Sequence, residues 1–301
     1  MKLNIKCPKC DEDIELLVND DELKNALAIQ THRPGEINSI VVIPTWRCEL
    51  GCPYCKYKQQ LDGKSIEYLS NLYQVEKELT PDEWIKLLNS YSPAVFDFTG
   101  GEPLLYPGIV QVLNSLPLWT ITSNTLYLPP GIDYSRCKSW TASFHPHIST
   151  ELRGKFLENT YKISSQSIPL NINLVLTPKT FDSVLSWADS FNSSTNVTVN
   201  VLPYYDDKDF SWYKYPGLVE RMNRNPHVRY EEKLFEYKGL EGNGYCKGGQ
   251  HYFVLGPDGK AFRCLTDLHT GKQPISGLVN STCNDRCMFP CDWGYGGRKL
   301  N

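Results

Sequence analysis

The residues of this chain best suited to chemistry are its cysteines, eleven in 301 residues. Three of them stand together as Cys48-x3-Cys52-x2-Cys55. Three thiolates this close can hold three corners of a cubane iron–sulfur cluster and leave its fourth iron without a protein ligand. The spacing alone also admits a zinc site, which would want a fourth ligand, or a redox dithiol. Gly100-Gly101-Glu102-Pro103 narrows the choice. Two glycines let a backbone approach a ligand closely, and Glu102 can accept from an ammonium group. An open iron beside such a turn is suited to a ligand that chelates through an amino and a carboxylate group.

The elements that must position these groups alternate strand and helix. Strands are expected at Ile40–Thr45, Ala94–Phe98, Leu118–Thr122, Ser139–Phe144, Leu170–Leu176 and Asn196–Leu202. They are short β-branched or aromatic runs of the kind found in a parallel sheet covered by helices. One helix opens with Thr80-Pro81-Asp82-Glu83, a capping box with proline at the first helical position. Others are expected at about Pro107–Leu116, Thr150–Ser165 and Phe181–Phe191. This order predicts an α/β fold, an α/β barrel or part of one. The cysteine triplet then follows the first strand, and Gly100–Pro103 the second. Residues 1–37 form an N-terminal extension and 206–245 an aromatic, charged bridge to a cysteine-rich tail, 246–301. That tail contains one clear hairpin: His251–Leu255, a Gly-Pro-Asp-Gly turn at 256–259, then Lys260–Cys264.

The cysteine spacing followed by Gly-Gly-Glu-Pro resembles the signature of the radical S-adenosylmethionine (SAM) superfamily over residues 38–205, about half the chain, and the resemblance implies a partial (β/α)6 barrel there. The resemblance implies that Cys48, Cys52 and Cys55 ligate a 4Fe–4S cluster and that Gly100, Gly101, Glu102 and Pro103 hold the methionine end of SAM. It places Tyr54 beside the adenine, and gives Ser123, Asn124 and Ser143, at the ends of the third and fourth strands, to the ribose and carboxylate. Each of these polar residues could instead cap a strand end. Cys246 and Cys264, around Gly259, look like the opening of the SPASM/twitch extension that builds auxiliary iron–sulfur clusters. Cys283-x3-Cys287-x3-Cys291 departs from the full SPASM tail, so the shorter twitch type with one cluster is the better match. Its expected ligands are Cys246, Cys264 and Cys291, with either Cys283 or Cys287. A zinc-stabilised tail is the alternative. Cys7 and Cys10 are shaped like one knuckle of a zinc ribbon, or could join Cys283 and Cys287 in a second cluster.

The remaining candidates have bland readings beside them. Cys137 stands alone and is read as a buried small hydrophobe. His145 ends a barrel strand but is read as a hydrogen-bonding structural residue. Tyr204 and Tyr205 could line a substrate pocket or simply pack. Asp206, Asp207 and Asp209 are read as solvated loop charge.

Composition removes other classes. A formal net charge of −3 supplies no basic excess for nucleic acid, and no apolar run is long enough to span a membrane. The N-terminus turns acidic where an export signal would become apolar, so the expected location is the cytoplasm. There, clustered cysteines serve as metal ligands more often than as disulfides. The resemblance implies an enzyme of oxidoreductase or maturase type, fed electrons by a flavodoxin or ferredoxin. Two substrates fit: a ribosomally made peptide to be crosslinked, epimerised or oxidised, or a small molecule such as an amino sugar or nucleotide. The peptide is favoured, and the short N-terminal extension then calls for a separate recognition protein. A non-enzymatic electron-transfer module would have no use for a SAM-binding turn.

Overall fold

The computed structural model describes residues 2–6, 13–17, 37, 39–52, 55, 78–91, 93, 95–176, 182–183, 186–187, 196–203, 205–206, 211–212, 228–230, 248–249, 252–269 and 271–276. Strands β1 (Lys2–Lys6) and β2 (Asp13–Leu17) pair antiparallel with each other. There follow β3 (Ser39–Val42), α1 (Pro81–Leu88), β4 (Val95–Phe98), α2 (Ile109–Ser115), β5 (Trp119–Ser123) and β6 (Cys137–Phe144). Next come α3 (Thr150–Ser164), β7 (Leu170–Leu176), β8 (Val197–Pro203), the short pair β9 (Tyr205–Asp206) and β10 (Ser211–Trp212), and β11 (Val228–Tyr230). The chain returns as β12 (Tyr252–Leu255), β13 (Ala261–Phe262) and α4 (Leu265–His269).

Among the described residues, nine strands form one sheet in the order β11-β8-β7-β6-β5-β4-β3-β12-β13. Every pairing in it is parallel except the final hairpin, β12 with β13. From β3 to β8 each strand lies beside the next in sequence. This order is singly wound; a doubly wound sheet reverses partway. Crossovers of one hand then carry the helices to one face. Trp84 and Leu88 of α1, Val112 and Leu113 of α2, and Phe156 and Ile163 of α3 share one apolar core with the sheet. From the sheet come Phe96, Phe98, Trp119, Trp140, Ile172 and Val201 among others.

The expected capping box is present: the Glu83 backbone N–H donates to Thr80 Oγ1 (3.3 Å), and the Thr80 N–H donates to Glu83 Oε2 (2.7 Å). β7 spans the segment expected, and the other strands of the series shift by a residue or more at their ends. Cys137 is buried at the start of β6, as expected of a small hydrophobe, and burial pushes its thiol up to about 12.

Two features of the sheet go beyond the sequence reading. The first is that β4 to β8 are buried on one face only. Residues such as Asp97, Thr120, Thr141, Ser143, Asn173 and Asn200 occupy the opposite, half-buried face. Thr120 Oγ1 donates to Asp97 Oδ1 (2.7 Å), and Asn200 Nδ2 donates to Asn173 Oδ1 (3.1 Å). The face opposite the helical core is therefore largely polar. The second is the tail hairpin, which is a neighbour of the first barrel-type strand. β12 pairs with β3 in parallel from Tyr252↔Ser39 to Leu255↔Val42. The pairing is extended by Ile43 N–H to Leu255 O (2.9 Å) and Leu79 N–H to Pro257 O (2.8 Å). Gly259 turns the hairpin at φ +77°, and a Cβ there would lie 2.8 Å from Leu79 Cδ1. No helix among the described residues is long and apolar enough to cross a membrane.

Candidate functional site

The candidate site lies where β3, β4, β5 and β6 end. After β3 the chain stays buried through Ile43, Thr45 and Trp46, then reaches the cysteine loop. Cys48 and Cys55 pack against a small cluster of Leu50, Cys52 and Ile148, which Leu126 and Leu152 also border. The Cys55 N–H donates to Cys52 O (3.2 Å), tightening the turn between the last two cysteines. Burial pushes the Cys48 thiol up to about 12, so without a cation beside it the group stays neutral. Three thiols gathered in an apolar recess become thiolates when they bind metal, and this donor set fits an iron–sulfur cluster. Among the described residues no three His, Cys, Asp or Glu side chains are already drawn around one metal position.

The Gly-Gly-Glu-Pro turn is fitted against this loop. Gly100 has φ +123°, and a Cβ at Gly101 would lie 2.4 Å from Arg47 O and 2.5 Å from Trp46 O. The Gly101 N–H donates to Thr45 O (3.1 Å) and the Glu102 N–H to Arg47 O (2.6 Å). The glycines thus allow the turn to dock on the chain's own backbone, beside whatever ligand it also meets. Gly101→Ala should cost about 1–3 kcal/mol of stability, the range for overpacking a tight contact. Chemical denaturation with and without iron loading checks it, and an unchanged midpoint would remove the docking argument.

Glu102 is only 2% exposed. Its carboxylate accepts from Leu104 N–H (3.0 Å), Ser123 Oγ (2.8 Å) and Asn124 N–H (2.7 Å). Burial nonetheless raises it to about 7, against the pull of those three bonds and with a smaller push from Glu49. Glu102 therefore fastens the end of β4 to the end of β5, with acceptor capacity left on its oxygens. Asn124 carries the link on to the cysteine loop, donating from Nδ2 to Glu49 Oε1 (3.0 Å). Ser123 also accepts from the Thr125 N–H (2.8 Å), and Asn124 Oδ1 from the Leu126 N–H (3.0 Å). Pro103 is buried at the start of a short 3-10 turn that Glu102 caps. Ser143 lies on the polar face, in register with Asn173. Tyr54, Tyr204, Cys7, Cys10, Cys246, Cys283, Cys287 and Cys291 lie outside the described residues. Cys264 is buried, between β13 and α4.

Two site features escaped the sequence reading. Thr125 has φ +58°, a left-handed conformation costly for a β-branched residue. Trp140 Nε1 donates to its Oγ1 (3.1 Å) and Asn159 Nδ2 to its O (2.9 Å), which hold it there. Strained residues of this kind gather at ligand sites, and a threonine gives no sequence signal of it. The other feature is the partner of His145, a residue expected to form a structural hydrogen bond: its Nδ1 lies 3.3 Å from Cys52 Sγ across 93 positions of sequence. Burial holds the ring neutral, its pKa lowered to about 4, with His147 adding to the effect. A histidine directly after a barrel-type strand was the available hint.

No protein-family model matches the chain, and no curated protein matches its sequence. Solved structures do share its fold. Streptococcus suis SuiB bound to S-adenosylmethionine matches with a TM-score of 0.55 at 15% identity, covering 80% of this chain and 63% of that one. SuiB bound to precursor peptide SuiA matches at 0.56 and 12% identity, covering 80% and 62%. Native anSMEcpe with bound AdoMet matches at 0.50 and 16% identity, covering 75% and 74%. The present chain thus spans less than two thirds of the length of SuiB.

Proposed function

We propose that this chain is a radical SAM enzyme that takes a hydrogen atom from a ribosomally made peptide. The observation that carries the reading is the bonded junction of the three-cysteine loop with Glu102 and Asn124 at the ends of the next two strands. Cys48, Cys52 and Cys55 would hold a 4Fe–4S cluster, and Gly100–Pro103 the methionine end of SAM. When bound, the cluster would pass one electron into SAM, releasing methionine and a 5′-deoxyadenosyl radical that removes a substrate hydrogen atom. A flavodoxin or ferredoxin would supply that electron. The chain's own part is to exclude water with Leu50, Leu126, Ile148 and Leu152, and to fix the turn against the loop.

A peptide is favoured for two reasons. SuiB, which shares the fold, binds a precursor peptide. The polar face also offers amides, since Asn173 and Asn200 use one hydrogen bond between them (3.1 Å), leaving donors and acceptors for a peptide backbone. An amino sugar is the second reading. Asp97, raised to about 6 by burial, is a carboxyl group on that face suited to an ammonium. A further cluster held by Cys246, Cys264, Cys291 and one of Cys283 and Cys287 belongs to the same proposal, as do zinc at Cys7 and Cys10 and a cytoplasmic location.

The direct test is anaerobic reduction with SAM, followed by chromatography for 5′-deoxyadenosine. An iron-loaded, reduced protein that forms none would end the reading. The role of Glu102 has its own test. Glu102→Gln should weaken SAM binding by about 1.5–3 kcal/mol, the range for a hydrogen bond to a charged group. Because burial raises this carboxyl to about 7, it must lose a proton to accept fully from the SAM amino group. Wild-type affinity should therefore rise more steeply from about pH 6 to about pH 7.5 than that of the Gln variant, which keeps only the dependence of the amino group itself. Equal affinities and equal pH profiles by calorimetry would remove Glu102 from the SAM site.

A further inference from the structure

We propose that His145 is a positioning residue for the radical cluster, donating from Nδ1–H to the Cys52 thiolate and so setting the potential at which the cluster takes up its electron. The inference rests on reading Cys52 as a cluster ligand.

The geometry is direct, because Nδ1 stands 3.3 Å from Cys52 Sγ. The ring is also held in place from both sides of the chain. Before it, Phe144 ends β6 and is wedged between Phe156 and Trp187, with ring centroids 5.2 and 4.2 Å away. After it, the turn 145–148 is closed by Ile148 N–H donating to His145 O (3.2 Å). Arg153, on α3, clamps the same turn through Nη2 to Pro146 O (2.7 Å) and Nε to Ile148 O (3.2 Å). Ile148 packs in the same small cluster as Leu50 and Cys52. The segment that carries the imidazole therefore also walls the cysteine recess. Movement of one would disturb the other.

A hydrogen bond to a ligating thiolate draws electron density from the sulfur and favours the reduced, more negative cluster. In an apolar recess the effect is strengthened, since little water competes for the sulfur. The imidazole touches neither SAM nor substrate in this assignment. It acts through Cys52.

The test is potentiometric EPR on the anaerobically reconstituted full chain, comparing wild type, His145→Ala and His145→Asn. In His145→Ala, iron content and SAM affinity should be retained. Its midpoint potential should fall, and a smaller fraction of cluster should be reduced at a fixed dithionite concentration. Asparagine places an amide N–H near the position of Nδ1, so His145→Asn should restore most of the potential. An unchanged potential in His145→Ala overturns the inference. Loss of iron from both variants also overturns it, since His145 would then be a ligand or a scaffold. A wild-type protein that takes up no cluster overturns the ligand reading itself, so the two failures are told apart.

Discussion

Anaerobically reduced protein with Cys48, Cys52 and Cys55 all replaced by alanine should form no 5′-deoxyadenosine, against steady formation by the wild type. The expected loss is complete because the three thiols act as a unit. Two remaining thiolates cannot hold three corners of a cubane. Folding should survive, since Cys48 and Cys55 are only half-buried and Cys52 lies in a small cluster apart from the main core. If the tail holds a cluster of its own, its iron–sulfur absorption should remain and serves as the control. SAM cleavage by the triple variant would show that the cluster sits elsewhere. Loss of all iron together with loss of the folded circular dichroism spectrum would instead show that the cluster builds the fold.

How far the sequence carried the site depends on the range of each signal. The helix that opens at Thr80 was legible because its capping box is closed within four residues. β7 was legible because Leu170–Leu176 is bounded by local breaks. The cysteine spacing and Gly100–Pro103 are likewise contained in short segments. What was not legible depends on distant partners. Nothing near Glu102 in sequence announces that Ser123 and Asn124 will occupy its oxygens. His145 meets Cys52 only because β6 ends beside the loop that follows β3. The polar face was visible in principle: Trp119-Thr-Ile-Thr-Ser and Leu170-Asn-Ile-Asn-Leu alternate polar and apolar residues. Read as strands covered by helices, they lose that information. Read as half-buried strands, they mark a polar face opposite the helical core.

The pairing of β12 with β3 changes how the two ends of the chain relate. A tail stitched to the sheet beside the strand that launches the cysteine loop is not free to drift from the site. Its strand β12 is held by backbone hydrogen bonds to β3 on one side and β13 on the other, and the turn at Gly259 lies against Leu79 and Leu87. Any group ligated at Cys264 therefore keeps a fixed relation to β3, as electron transfer to or from a second cluster would require.

That relation sharpens the last expectation, which concerns the iron in the tail. If Cys246, Cys264, Cys291 and either Cys283 or Cys287 hold a cluster, reconstituted protein should contain about eight irons, four for each cubane. Cys264→Ala should lower this toward four. Residues 252–269 should nevertheless stay folded, because β12 is paired with β3 and α4 is tied by Arg263 to Asp267 (2.8 and 3.0 Å), contacts that need no metal. Destabilisation should be confined to the rest of the cysteine-rich tail, where metal ligation is expected to substitute for a core. Hydrogen exchange by mass spectrometry separates the two zones. Because the radical cluster is untouched, 5′-deoxyadenosine should still form without substrate, while product formation should fall. Substituting Cys283 and Cys287 singly then finds the spare thiol, since only one should matter strongly. About four irons with stoichiometric zinc would make the tail a zinc module and refute the auxiliary cluster. About twelve would mean a third cubane and bring in Cys7 and Cys10.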